Sequence, residues 1–96
     1  MEPAVKIKME YKRFQREGDT CRGIFLGFNK IKNGDGVPLD SIVWVEQDGV
    51  TYYHSGVILV DDVRKFGFQP GTPFQIQYIG KKKKAMDFDV RTLRAA

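Results

Sequence analysis

The chain has little with which to do covalent or metal chemistry. One cysteine, Cys21, and one histidine, His54, stand among 96 residues. A lone cysteine excludes an intramolecular disulfide and a multi-cysteine zinc site, and it favours a reducing compartment. No pattern joins the thiol and the imidazole as nucleophile and base, and His54, beside Tyr52 and Tyr53, reads as packing or surface. Asp61 and Asp62 are adjacent on an expected helix, pointing about 100° apart. Asp87 and Asp89 share a strand face without further ligands, so both pairs read as solvated charges. Asn33-Gly34-Asp35-Gly36-Val37-Pro38 has the glycines of a phosphate loop but no following Gly-Lys-Ser/Thr and no helix. No cofactor, no metal and no enzymatic activity is expected. No apolar run approaches the ~20 residues of a membrane span. The opening Met1-Glu2-Pro3-Ala4 has no apolar signal core, so a cytoplasmic protein away from membranes is expected.

What is present is a basic chain of one-domain length. A hydrophobic fraction of 42% is too high for a disordered chain, and 96 residues leave no room for a second core. Sixteen Lys and Arg against twelve Asp and Glu give a formal charge of +4, a modest excess whose distribution says more than its size. Lys6, Lys8, Lys12, Arg13 and Arg16 crowd the N-terminal segment, and Lys81, Lys82, Lys83 and Lys84 form a second cluster. Such stripes attract polyanions in a salt-dependent way; spread evenly, they would only solubilise the surface.

Hydrophobic periodicity is that of strands. Val5, Ile7, Met9 and Tyr11 alternate with charged residues, giving an N-terminal strand over 5–14. Cys21 to Ile31 reads as a longer strand in which Gly23 and Gly27 mark a bulge, a bend or a close backbone approach. Ser41–Gln47 and Val50–Ser55 flank Asp48-Gly49, read as a two-residue hairpin turn. That register sets Trp44 opposite Tyr53, Val45 opposite Tyr52 and Val43 opposite His54. Leu59, Val63 and Phe66 share a helical face over Val57–Phe66, with Ser55 as N-cap and Gly67 as stop. The β-branched run from Val57 could instead prolong the strand, and the Asp61–Lys65 pattern favours the helix. Phe74–Ile79 and Met86–Leu93 complete the strands.

A helix between the third and fourth strands of a small β-rich chain is the order of an OB fold. The fold class expected is all-β: one domain over 1–96, a five-stranded Greek-key barrel with one short helix and an extra N-terminal strand, its core over 20–93. In that fold the second and third strands and two flanking loops hold the ligand. Here those strands carry Trp44, Tyr52 and Tyr53, and one loop is the lysine run. Valine favours the interior, so Trp44 and Tyr53 are expected as an exposed cross-strand pair; with Trp44 inward, Tyr52 and His54 would form the outer platform. Four lysines in one turn repel one another unless an anion is near. Aromatic rings beside them suit single strands, whose bases stack and whose phosphates draw cations. The expected site is thus Trp44, Tyr52 and Tyr53 for bases and Lys30, Lys32, Lys81, Lys82, Lys83 and Lys84 for phosphates, with Lys6, Lys8 and Lys12 extending the track.

The run Glu17-Gly18-Asp19-Thr20-Cys21-Arg22-Gly23-Ile24-Phe25-Leu26-Gly27 resembles the "EGD…GxFLG" opening of small OB-fold single-stranded DNA-binding proteins of bacteriophages and mobile elements. Pro70-Gly71-Thr72-Pro73-Phe74-Gln75-Ile76-Gln77-Tyr78-Ile79-Gly80-Lys81 resembles their "PGxxxxIxYxGK" segment, and the likeness spans roughly residues 14–93 as a pattern of strands and glycines. The resemblance implies coating of single-stranded DNA in replication or recombination, in a host cytoplasm if phage-encoded, without sequence preference. Many such proteins end in an acidic recruiting tail; this sequence closes Arg91-Thr92-Leu93-Arg94-Ala95-Ala96, so recruitment by a tail is not expected. The sequence leaves open DNA against RNA and the oligomeric state, a homodimer included. The alternative function is a protein-interaction module, such as a phage-encoded inhibitor of a host factor, whose aromatic face would be an interface hot spot.

Overall fold

The computed structural model describes residues 8–93. Six strands and one helix follow in the order β1 (Met9–Tyr11), β2 (Thr20–Lys32), β3 (Pro38–Val45), β4 (Thr51–His54), α1 (Val57–Phe66), β5 (Pro73–Lys82) and β6 (Ala85–Thr92). They make one mixed sheet, β1-β4-β3-β2-β5-β6. Every neighbouring pair is antiparallel except β1 with β4, which is parallel. The β-rich class, the element order and the helix between β4 and β5 are as expected. Closure is not: the sheet is open, with β1 and β6 as its edges. Among the described residues the N-terminal strand covers Met9–Tyr11 and stops short of the expected Phe14; Val5, Lys6 and Ile7 lie outside the described residues.

The edges nonetheless approach one another through side chains. The His54 ring of β4 lies 5.4 Å from Phe88 of β6, and Phe14 sits edge-on to both, at 5.6 and 5.1 Å. These rings fill the space where β4 and β6 would otherwise have to pair. The core is Phe25, Ile42, Trp44, Leu59, Val63, Phe74 and Ile76, all sealed from solvent. α1 closes it from one side with Leu59, Val60 and Val63. Burial of that face outweighs the modest helix cost of its β-branched residues. Gly67, at φ 68°, ends the helix in the left-handed conformation, its N–H donating to the Arg64 carbonyl. The expected cap at Ser55 does not form: the N-cap is Gly56, and Ser55 Oγ instead meets Ser41 Oγ at 2.6 Å.

The β3–β4 register departs from expectation by one residue. Trp44 pairs with Tyr52, Val43 with Tyr53 and Ile42 with His54. The turn holds three residues rather than two. Glu46 N–H bonds the Val50 carbonyl, Gly49 N–H bonds the Glu46 carbonyl, and Gly49 stands at φ 79°. This is a type I turn closed by a glycine bulge. A one-residue slip carries one strand's side chains to the other face. Ile42, Trp44, Tyr52 and His54 therefore share the inner face, and Val43, Val45, Thr51 and Tyr53 the outer.

Both strand glycines do what their positions implied. A bulge falls between Phe25 and Gly27. At Gly23 the backbone runs against the indole: an added Cβ would lie 2.5 Å from Trp44 Cδ1 and 2.6 Å from the Val45 carbonyl oxygen. Gly23→Ala must therefore displace either the tryptophan or the β3 backbone. Overpacking of this kind costs about 1–3 kcal/mol, so the urea midpoint should fall with the slope unchanged; an unaltered midpoint would show that the indole is not held here.

Candidate functional site

The structure separates the expected site residues. Trp44 is wholly buried, with its indole N–H donating to Glu46 Oε2 at 2.9 Å. Its place as an exposed stacking ring is overturned by the register that turns it inward. Its emission consequently reports the core rather than a ligand. Tyr52 is half-buried and engaged on several sides. Its hydroxyl donates to Asp48 Oδ2 at 2.9 Å, Lys12 Nζ stands 4.3 Å from its ring centroid, and Trp44 lies 6.3 Å away. The Asp48 bond is the main cause that pushes the Tyr52 phenol up to about 12. Lys12 in turn pairs with Glu46 Oε1 at 2.9 Å. It braces β1 against the β3–β4 hairpin and is committed there rather than to a phosphate track. Lys6 lies outside the described residues, and Lys8 is exposed.

Tyr53 remains on the outer face and is joined there by Tyr11, which the sequence pattern had assigned only to strand alternation. Parallel pairing sets Tyr11 directly opposite Tyr53, with ring centroids 5.5 Å apart and edge-on. Tyr11 also stacks on His54 at 5.0 Å. Both tyrosines border a groove of about 520 Å³, whose walls include Ile31 and Leu39 of the β2–β3 hairpin, Val57 of α1 and Met86 of β6. Lys32, Asn33 and Gly34 form one rim. α1 begins at this groove with no side-chain cap and no acid in its first turn, so its free amide N–H groups favour an anion nearby.

His54 is the hinge of this arrangement. The Gly56 N–H donates to its Nδ1 at 3.0 Å, so in the neutral ring the proton sits on Nε2 and is donated to Tyr11 Oη at 3.1 Å. That leaves the Tyr11 O–H free to donate to a ligand in the groove. Burial, and the nearby Tyr53 after it, raise the Tyr11 phenol above its ordinary value, which keeps that proton in place. Burial lowers the His54 imidazole to about 4. Cys21 is likewise shut away: burial first, and then Glu46, push its thiol up to about 12, so it is inert.

The lysine run forms the β5–β6 turn. Lys81 pairs with Met86 and Lys82 with Ala85, and the two central residues, Lys83 and Lys84, stand at φ 50° and 70°. Positive φ at both is the signature of a type I′ turn, whose preferred residues are Asn-Gly. Residues opposite one another share a face, so Lys81 lies on the side of Met86 and Lys82 on that of Ala85; Met86 and Ala85 both line the end of the groove, next to the turn. Lys82 and Lys83 border a second depression with Asp61, Asp62, Lys65 and Asp87, where carboxylates offset them. Lys30 faces neither: it stands 3.8 Å from Asp40 on the other side of the β2–β3 hairpin. Tyr53 and Lys32 thus line one groove whose Ala85–Met86 end adjoins the lysine turn, while Trp44, Tyr52 and Lys30 do not line it. Among the described residues no cluster of His, Cys, Asp and Glu could hold a metal ion. Comparison with protein-family models, curated proteins and solved structures found no match to the chain.

Two outcomes test this geometry. His54 is neutral in folded and unfolded chains above its ordinary value of 6.5; between there and about 4 only the unfolded chain takes up the proton. Stability should therefore fall by about 3 kcal/mol as pH drops through that window, a loss that His54→Gln should remove from the pH dependence of the urea midpoint. Second, each non-glycine residue at positive φ costs on the order of 1 kcal/mol. Replacing Lys83-Lys84 by Asn-Gly should raise the melting temperature by about 4–8 °C per kcal/mol relieved; a fall would contradict the turn.

Proposed function

We propose that this protein binds single-stranded nucleic acid, DNA in the first place, along the groove that Tyr11 and Tyr53 border, without reading sequence and without catalysis. The observation that carries this is a groove lined by exposed Tyr11, half-buried Tyr53 and Lys32, with the lysine turn of a second hairpin adjoining its Ala85–Met86 end. Lys32 stands on the β2–β3 hairpin and Lys81 on the β5–β6 hairpin, with Lys84 at the tip of the latter. Bases stacking on tyrosine contribute about 1–3 kcal/mol each, and flexible ammonium groups meet phosphates in any register. The strand order, with α1 between β4 and β5, supports an OB-like arrangement in which β2–β6 correspond to the barrel strands and β1 is added at the edge. The resemblance of the Glu17–Gly27 and Pro70–Lys81 runs to phage and mobile-element proteins supports a place in replication or recombination.

Anisotropy of labelled dT oligomers against a salt series is the direct test. With roughly four phosphates neutralised, log K should fall against log salt with a slope of about −3. Tyr53→Ala should weaken binding about tenfold without changing that slope, since one stacked base is lost and no charge. Lys81→Gln with Lys84→Gln should instead flatten the slope. Salt-independent binding, or equal affinity for duplex and single strand, would refute the assignment. A protein-interaction module is the second reading, favoured by a separate apolar depression of about 270 Å³ lined by Ile24, Val45, Pro73 and Leu93. Arg22 and Glu46 also line it, one cation against one carboxylate, and substitutions of Ile24 or Leu93 there should leave oligonucleotide affinity unchanged.

A further inference from the structure

The groove does not end at the two tyrosines. Leu39, Ser55 and Val57 line both it and a neighbouring depression of about 190 Å³ between β3 and α1, which Asp40 and Arg64 also line. The register of the β2–β3 hairpin explains what stands beyond that shoulder. Ile31 pairs with Leu39, and by alternation they share the groove face; Lys30 with Asp40, and Phe28 with Ile42, share the other. Past the end of the core this second face has no strand to cover it. Phe28 is 42% exposed there, although its neighbour Phe25 is buried. The Arg64 guanidinium lies 5.1 Å from the Phe28 ring centroid. Asp40 stands between two cations, its Oδ2 3.7 Å from Arg64 and its Oδ1 3.8 Å from Lys30. These pairs are long and half-exposed, the kind that contributes little to stability and is readily exchanged.

We infer that a strand longer than the groove crosses the Leu39–Val57 shoulder to a second stacking station at Phe28. Asp40 there is a built-in competitor, holding Arg64 and Lys30 until phosphates take its place. This rests on the single-strand reading of the groove and adds to it a length requirement and a carboxylate that opposes binding. An accessible aromatic ring with two cations beside it repeats the ring-and-cation chemistry of the groove, here with Arg64 in place of lysine at the ring. An acidic peptide would meet the same two cations, but only a nucleic acid strand carries an aromatic base beside every anionic group to stack on Phe28. Because Asp40 occupies both cations, its removal should tighten binding while loss of its neighbour Phe28 weakens it. General electrostatics alone does not produce that opposition, since Phe28 carries no charge.

Two dT oligomers decide the matter, one of about 4 nucleotides that fills the groove and one of about 12 that can pass the shoulder. They are measured at physiological salt, where the Debye length of about 8 Å limits the reach of a distant charge. Phe28→Ala should weaken the longer oligomer about tenfold and leave the shorter unchanged, whereas Asp40→Asn should tighten the longer several-fold and leave the shorter unchanged. The Asp40 side chain is exposed and makes no core contact, so that variant remains a fair test should Phe28→Ala lower stability. Equal shifts on both lengths, or no shift on the longer while Tyr53→Ala still weakens both, would overturn the second station and leave the groove standing. Failure of the unaltered protein to bind either length would remove both.

Discussion

The three-residue turn at Gln47-Asp48-Gly49 sets the orientation of everything the candidate site uses. By closing on Glu46 and Val50 it pairs Trp44 with Tyr52 and sends both inward, and it leaves Tyr53 outward. Asp48 secures the turn twice, accepting the Val50 N–H at 2.9 Å and the Tyr52 hydroxyl at 2.9 Å. The amide, and after it the phenol, hold the Asp48 carboxyl below its ordinary range. A turn one residue shorter would exchange the faces of β4 against β3 and place Tyr53 in the core.

From that register follows a chain of polar contacts that attaches the edge strand. Trp44 donates to Glu46, Glu46 pairs with Lys12, and Lys12 lies over Tyr52. A buried indole N–H without a partner would cost about 1–3 kcal/mol, and Glu46 meets it while anchoring the segment that follows β1. Two residues further along β4, His54 meets Tyr11 by both stacking and a hydrogen bond. Among the described residues β1 pairs with β4 over three residues. These side-chain contacts explain why it stays in place and why Tyr11 is available beside Tyr53.

The charges of the molecule are arranged unevenly around this frame. Lys83 and Lys84 occupy a turn that disfavours them by backbone conformation and by mutual repulsion, while Lys82 and Lys83 adjoin three carboxylates and Lys30 and Arg64 share a fourth. Lys12, Lys30, Arg64 and Arg91 each pair with a carboxylate in the free chain.

Much of the architecture was legible from local pattern. Alternation placed β2, β3, β5 and β6, the Val57–Phe66 helix fell on its expected residues, and Gly23 and Gly27 marked a close approach and a bulge. These are properties of segments, set by periodicity of 2 or 3.6 and by backbone freedom. The faces of the hairpin were not legible, because Asp-Gly serves both a two-residue turn and the last two positions of a three-residue one, and the two differ by a whole register step. Nor was the groove, since Tyr11, Tyr53 and Met86 lie far apart in the chain and meet only through the parallel pairing of β1 and the approach of β6. By itself the sequence determined which segments are strands and helix and that cations cluster at the 81–84 turn. Tertiary structure decided that the tryptophan is core and a tyrosine pair is surface, because burial of the largest ring against Gly23, with Glu46 to satisfy its N–H, outweighs the preference of valine for the interior.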